Sequence, residues 1–240
     1  MTKPLIEFSL VIPVYNEAGN LRLLTHSAIE VLRRLGRPFE IILVDDGSTD
    51  ETHDEIVEAQ RLYPELAPIR LTRNTGQAAA LLVGLQAARG DYLLMMDGDG
   101  QNDPADFPAL IALVTSNQVD LACGWRVHRH DSALRKLMSR LANAVRRTVL
   151  NDGVHDAGCQ LRVMRQAVRT AFFPMELMQS FIPALAVAAG FRVGEIPVRH
   201  HRRTHGQSKY GLARLWWRPA LAMLNLRWKI TWARGRKLPR

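Results

Sequence analysis

Short apolar runs alternate with helical patterns along the first hundred residues. Phe8 to Tyr15, Glu40 to Val44 and Tyr92 to Met96 read as strands buried on both faces. Between the first two, Asn20 to Leu35 carries apolar residues at helical spacing and meets Gly36, a stop signal. Asp50 is placed to cap a helix reaching Leu62, with acids crowded into its first turn. Gln77 to Ala88, rich in Ala and Leu, predicts another helix ending before Gly90. Strands alternating with helices predict βαβ units, hence an α/β fold with a mainly parallel sheet covered on both sides. Further on, the spacing predicts a helix from Pro104 to about Ser116, a strand over Val119 to Cys123 and a basic helix over Ser132 to Leu150. Ala184 to Val198 reads as a helix or a strand pair. No internal repeat or flexible linker interrupts the chain, which predicts one catalytic-sized domain over residues 1–210 and a tail over 211–240.

Composition narrows the class. With 240 residues, 47% hydrophobic and 23% charged, the chain is an ordinary globular sequence, and two cysteines exclude a disulfide scaffold. The amino-terminal residues carry no signal-like apolar run, and charge-free stretches such as Leu177 to Phe191 reach 15 residues. A bilayer span needs about 20, so the expectation is a protein that does not cross a membrane. The net charge of +9 is unevenly spread: residues 1–125 hold 9 Lys and Arg against 18 Asp and Glu, while residues 199–240 hold 12 and none. An acidic first half joined to a basic second half implies an anionic partner for the latter: a nucleic acid, a membrane surface or a phosphorylated substrate.

The sharpest local chemistry is Asp97-Gly98-Asp99-Gly100-Gln101, directly after an apolar strand. A strand ending there brings side chains to the carboxyl edge of a parallel sheet, where ligands bind. Two carboxylates separated by a glycine suit a hard divalent cation, and equally suit an Asp- and Gly-rich turn. Asp45-Asp46-Gly47-Ser48 and Pro13-Val14-Tyr15-Asn16-Glu17 end the other two strands in the same way. His200, His201 and His205 cluster without a cysteine pair to support zinc, so a polar loop is the better reading.

Val-Ile-Pro-Val-Tyr-Asn-Glu at 11–17, Val-Asp-Asp-Gly-Ser-Thr-Asp at 44–50, Arg-Asn-Thr-Gly-Gln at 73–77 and Asp-Gly-Asp-Gly-Gln at 97–101 resemble the family-2 glycosyltransferases. Gly124-Trp125-Arg126, then Asp131-Ser132, Arg135-Lys136, Ser139 and Asn143, then Asp156-Ala157-Gly158-Cys159-Gln160-Leu161-Arg162, Ser180-Phe181-Ile182-Pro183 and Arg203-Thr204-His205-Gly206-Gln207-Ser208-Lys209-Tyr210 resemble the members that use dolichyl or undecaprenyl phosphate, including the aminoarabinose-lipid branch. The resemblance covers about residues 8–210. It implies a GT-A (Rossmann-like) fold, a nucleotide-sugar donor, a polyprenyl-phosphate acceptor and Mg²⁺ or Mn²⁺. It also implies roles: Pro13, Tyr15, Glu17, Asp45, Asp46 and Gln77 at the nucleotide sugar; Asp97, Asp99 and Gln101 at the metal and the reaction; Arg126, Arg135, Arg203 and Lys209 at the acceptor phosphate. Many relatives continue into transmembrane helices, whereas this chain ends in a basic segment with four tryptophans.

Elementary chemistry agrees with that assignment. A phosphate monoester is largely ionised at neutral pH and needs little general-base help, which suits a sequence without a nucleophile–base constellation. The expected reaction is a single inverting displacement at the anomeric carbon. A hydroxyl acceptor would need a base, and a nucleic-acid partner, suggested by the basic tail, is opposed by the acidic first half and the four donor-side motifs. A helix over Leu212 to Trp232, kinked at Pro219, would set Arg214, Arg218, Asn225 and Lys229 apart from Trp217, Leu221, Leu224 and Trp228. That pattern predicts peripheral contact with a membrane surface, with a helix packed on its own domain or an oligomer contact as the alternatives, and the resemblance implies the cytoplasmic face.

Overall fold

A computed structural model of the chain describes residues 6–127, 133–201 and 221–229. Seven strands form one sheet in the order β3-β2-β1-β4-β6-β5-β7. They are β1 (Phe8–Val14), β2 (Phe39–Asp45), β3 (Ile69–Arg70), β4 (Tyr92–Met95), β5 (Leu121–Arg126), β6 (Arg162–Arg165) and β7 (Val193–Val198). The pairings β1–β2, β1–β4, β2–β3 and β5–β7 are parallel, whereas β6 runs antiparallel to both β4 and β5. One reversed strand therefore leaves β1, β2, β4 and β5 pointing the same way, with their carboxyl ends on a common edge.

Helices cover both faces. Helices α1 (Leu21–Arg34), α2 (Thr52–Leu62) and α4 (Phe107–Thr115) share one apolar cluster with the sheet. On the other face α3 (Gln77–Ala87) and α6 (Met178–Ala188) pack a second cluster, joined by Met223 and Leu226 of α7 (221–229). The strands are buried along their length because both faces are covered; every residue of β1 is buried. Between β5 and β6 lies the long basic helix α5 (Ala133–Leu150).

The predicted strands and helices of the first hundred residues are present, with shifted ends. The N-cap of helix α2 is Glu51, one residue beyond the expected cap: Asp50 Oδ1 accepts from Thr52 N at 3.1 Å, but Asp50 Oδ2 is turned to Ala18 N at 3.3 Å. The ambiguous stretch 184–198 resolves into the second half of α6 and the strand β7, separated by Gly190 at φ +92°. Two strands escaped the pattern. Strand β3 has two residues, and β6 is a four-residue segment flanked by arginines, too short to show a period. Of the tail helix, 221–229 is helical, and the rest of 212–232 lies outside the described residues.

Candidate active site

Three strand ends converge at the common edge. Register places Val14 beside Asp45 and Val11 beside Met95, so the segments 15–17, 45–48 and 97–101 leave the sheet side by side. Pro13 is buried within β1, and Tyr15 and Glu17 are half-buried just beyond it. The loops are laced together: Asn16 N donates to Ser48 Oγ at 3.0 Å and Glu17 N to Thr52 Oγ1 at 2.8 Å. Glu17 Oε2 accepts from Asn20 Nδ2 at 2.9 Å.

The paired acids after β2 have different surroundings. Asp45 is 1% exposed; its Oδ1 accepts from Ser48 N at 2.8 Å. Its Oδ2 is buried without a hydrogen-bond donor, 3.6 Å from His53 Nδ1 and 3.5 Å from Arg70 Nε. Asp46 turns the other way. Both its oxygens serve the turn before α3, accepting from Thr75 N and Thr75 Oγ1 at 2.7 Å each and from Gly76 N at 2.8 Å. The structure thus gives Asp46 a contact that shapes the loop entering α3. Gly47, at φ +69°, makes that approach possible, because a Cβ there would stand 2.6 Å from the carbonyl carbon of Arg73.

The loop after β4 is equally constrained. Asp97 N donates to Asn102 Oδ1 at 3.1 Å, and Asp99 Oδ1 accepts from Gln101 N at 3.1 Å. Gln77, from the first turn of α3, donates through Nε2 to Asp97 Oδ1 at 2.6 Å. Gly98 lies against β1, where a Cβ would meet Val14 Cγ1 at 2.5 Å and the Pro13 carbonyl at 3.2 Å. Gln101 also engages the chain leaving β7: His201 N donates to Gln101 O at 2.9 Å, and Asn102 forms an isolated bridge with His200. Asp103, paired with His201 and Arg199 at 3.1 Å each, keeps its carboxyl below the usual range; burial opposes this, and hydrogen bonds from the Ala105 amide and the His201 ring together with the Arg199 charge outweigh it.

On the far side of β6, Arg126 ends β5 and forms a two-pronged pair with Asp156, Nε to Oδ2 at 2.7 Å and Nη2 to Oδ1 at 2.9 Å. Burial disfavours its charge, but Asp156 and, more distantly, Asp97 hold the guanidinium more firmly protonated than usual. Gly158 sits where a Cβ would stand 2.8 Å from Arg126 Nη2. The loop carrying Asp156 is pinned from three other elements, and of the residues that hold it the motif reading did not single out Glu195. Glu195 of β7 accepts from His155 N at 2.7 Å and Asp156 N at 3.0 Å, and fully buried Arg162 donates to Ala157 O at 2.7 Å. Asn143 of α5 accepts from Ala157 N at 3.4 Å. Arg135 belongs to α5, but its side chain, like Arg203 and Lys209 altogether, lies outside the described residues. The two cysteines are buried, and burial raises their thiols to about 12 for Cys123 and about 11 for Cys159. At neutral pH both are packing groups.

Comparison with known proteins gives the same picture from outside the chain. The sequence profile of glycosyl transferase family 2 matches residues 9–172. The chain is 38% identical over 216 residues, 87% of its length, to dodecaprenyl-phosphate galacturonate synthase of Rhizobium johnstonii, covering 63% of that protein. It is also 38% identical over 86% of its length to undecaprenyl-phosphate 4-deoxy-4-formamido-L-arabinose transferase of Edwardsiella ictaluri, covering 64% of it. The chain therefore spans a little under two thirds of the curated relatives it matches. Among solved structures, glucosyl-3-phosphoglycerate synthase of Mycobacterium tuberculosis, in complex with Mn²⁺, UDP and phosphoglyceric acid, superposes with a TM-score of 0.67 at 20% identity, over 92% of this chain and 78% of that one. The mannosyltransferase PcManGT of Pyrobaculum calidifontis, in complex with GDP-Man and Mn²⁺, gives 0.63 at 18%, over 98% and 65%. These likenesses confirm the fold, and the profile match over most of the chain settles its kinship: the chain belongs to glycosyl transferase family 2.

Proposed function

We propose that this chain transfers a sugar from a nucleotide-sugar donor to a polyprenyl phosphate, with inversion at the anomeric carbon. The observation that carries the reading is the preorganised pair of opposite-sign groups flanking one sheet edge. Asp97 and Asp99 lie at the end of β4, and Arg126 is held by Asp156 at the end of β5. Both named relatives act, by their names, on polyprenyl phosphates.

The residues present fit a divalent metal. Asp97, Asp99 and Gln101 offer only oxygen ligands, the donor type that Mg²⁺ and Mn²⁺ take. Among the described residues no group of three or more His, Cys, Asp or Glu could enclose an ion. Two carboxylates and one amide oxygen fill only part of a divalent ion's oxygen shell, which leaves positions for diphosphate oxygens. Bound there, the cation would neutralise charge on the departing nucleoside diphosphate. The chain's own part is positional. Asp45 Oδ2, a buried acceptor lacking a donor, suits a ring N–H of the base, with Pro13, Tyr15 and Glu17 lining the nucleoside. Asp46 acts one step removed, by shaping the turn that delivers Gln77.

Arg126 is proposed to orient the acceptor phosphate, with Arg135, Arg203 and Lys209 adding charge. Nε and one N–H of Nη2 are spent on Asp156, leaving the Nη1 side of the fork for an anion. An ionised phosphate oxygen then attacks the anomeric carbon in line with the departing diphosphate, and no protein group needs to take a proton.

Contact with a membrane surface follows from the acceptor. Among the described residues no helix is long and apolar enough to cross a bilayer. Helix α7 buries Met223 and Leu226 against the domain and exposes Leu221, Leu224 and Trp228 at 57%, 56% and 65%. Their spacing makes one apolar stripe beside Asn225 and Lys229, an arrangement suited to lying in a lipid interface. We place the protein on the cytoplasmic face, with residues 1–210 as the catalytic unit and 211–240 as its surface-binding extension.

The test is direct. The protein is incubated with UDP- and GDP-sugars, undecaprenyl phosphate and Mn²⁺. A lipid-linked, acid-labile product from one donor is expected, and transfer to free saccharides with none to the lipid phosphate would overturn the assignment.

A further inference from the structure

We propose that Gln179, in the first turn of α6, is a positioning residue for Asp97, acting through Gln77; the inference rests on the reading that Asp97 serves the metal–diphosphate site. The logic begins with Asp97 Oδ1, which as a carboxylate oxygen can only accept. It therefore fixes the amide of Gln77 with its NH₂ end inward, and Nε2 lies 2.6 Å away. The Gln77 carbonyl is thereby turned outward and needs a donor. Gln179 supplies it: its Nε2 lies 3.2 Å from Gln77 Oε1, 102 residues away in sequence.

Gln179 is itself anchored. It is 5% exposed, and its backbone carbonyl accepts from Arg162 Nη1 at 2.7 Å. Arg162 is fully buried, and its Nη2 donates to Ala157 O in the loop that carries Asp156. One cation thus ties the support of Asp97 to the support of Arg126. The neighbours of Gln179 in α6, among them Met178, Phe181 and Ile182, form the second apolar cluster. Gln179 Oε1 is buried there without a hydrogen-bond partner, so a methionine would fill the space and remove that unpaired acceptor, at the expense only of the donor to Gln77 Oε1. A glutamine kept at that cost makes sense if its NH₂ is needed, and Gln77 Oε1 is what that NH₂ meets.

The test is a double-mutant cycle read by Mn²⁺ binding. Mn²⁺ is titrated by electron paramagnetic resonance, in the presence of UDP, into the wild type, Gln179→Met, Gln77→Met and the double variant, with Tm recorded for each. Loss of one hydrogen bond from a supporting chain predicts about three- to tenfold weaker Mn²⁺ binding for Gln179→Met. Because Gln179 works only through Gln77, the double variant should bind Mn²⁺ no more than about twofold more weakly than Gln77→Met alone. Gln179→Asn, which keeps the amide but loses the reach, should match Gln179→Met, and it serves if the methionine variant does not fold. Unchanged Mn²⁺ affinity in a folded Gln179 variant, or multiplicative losses in the double variant, would overturn the role. Failure of the underlying reading looks different: Asp97→Ala would then bind Mn²⁺ as the wild type does, or the wild type would bind none, and either result removes the positioning role with it.

Discussion

At the scale of single residues, the site is decided by which carboxylate oxygens are already occupied. Asp45 and Asp46 are adjacent and chemically identical, yet one keeps a buried oxygen without a donor while the other spends both on Thr75 and Gly76. Arg126 shows the same economy, with one edge of its fork given to Asp156. Removing one member of a buried pair leaves an uncompensated charge and costs on the order of 3–5 kcal/mol. Asp156→Ala should therefore destabilise the fold by about that amount in denaturant titration, and weaken use of lipid phosphate besides. Arg126→Lys keeps a positive charge but not the fork, so it should raise the apparent KM for polyprenyl phosphate by about ten- to a hundredfold, the worth of a charged hydrogen bond. Nucleotide affinity should stay within about twofold if that hydrogen bond is absent from the donor complex. Equal losses toward donor and acceptor would remove Arg126 from the acceptor side.

At the scale of elements, the sequence was most legible where local signals were strong. The strands β1, β2 and β4 are apolar runs ended by Asp, Asn and Gly, and those ends announced both the sheet edge and the acidic motifs. What stayed hidden depended on long-range pairing. Strand β6 is held by register to β4 and β5, as Met95 to Arg162 and Cys123 to Arg162, and four residues with an arginine at each end carry no pattern of their own. Glu195 and Gln179 were missed for the same reason. Nothing in their neighbourhoods says that Glu195 will reach the amides of His155 and Asp156, or Gln179 the amide of Gln77. Conversely, the Asp-Gly-Asp motif was visible, but the reason for its first glycine was not: Gly98 is where the β4 loop touches β1. Gly98→Ala puts a methyl 2.5 Å from Val14 Cγ1 and near a backbone carbonyl, so the two strand ends must part. Overpacking of this kind costs about 1–3 kcal/mol. The expected outcome is a folded protein with a lowered Tm and at least tenfold weaker nucleotide binding by calorimetry, whereas wild-type binding would show that the two loops need not touch.

At the scale of the whole molecule, charge and apolar surface are arranged as the proposed substrate, with its charged head and apolar chain, would require. The first half is acidic, and residues 199–240 carry twelve basic residues and no acidic ones. Helix α7 joins the two regimes, because its buried face belongs to the domain core and its outer face carries the exposed apolar stripe. Deleting the tail would strip Met223 and Leu226 from that core, so the better probe is substitution on the outer face alone. Leu221→Ser, Leu224→Ser and Trp228→Ser together should leave Tm within a few degrees and reduce sedimentation with anionic vesicles several-fold. Binding of the unchanged protein should weaken with added salt as screening removes the charge contribution. Undiminished vesicle binding by the triple variant would place the contact elsewhere.

The proposed function joins the acidic edge, the arginine fork and the exposed apolar stripe in one reaction, and its dependence on Asp99 tests them together. The measurement is transfer of radiolabelled sugar from its nucleotide to undecaprenyl phosphate in vesicles, by wild type and Asp99→Ala, with and without excess chelator. The wild type should label the lipid, lose that activity in chelator and regain it on addition of Mg²⁺ or Mn²⁺. Asp99→Ala, with near-native Tm, should fall at least a hundredfold and gain nothing from added metal. Full labelling by the wild type in excess chelator, or by Asp99→Ala, would contradict the account.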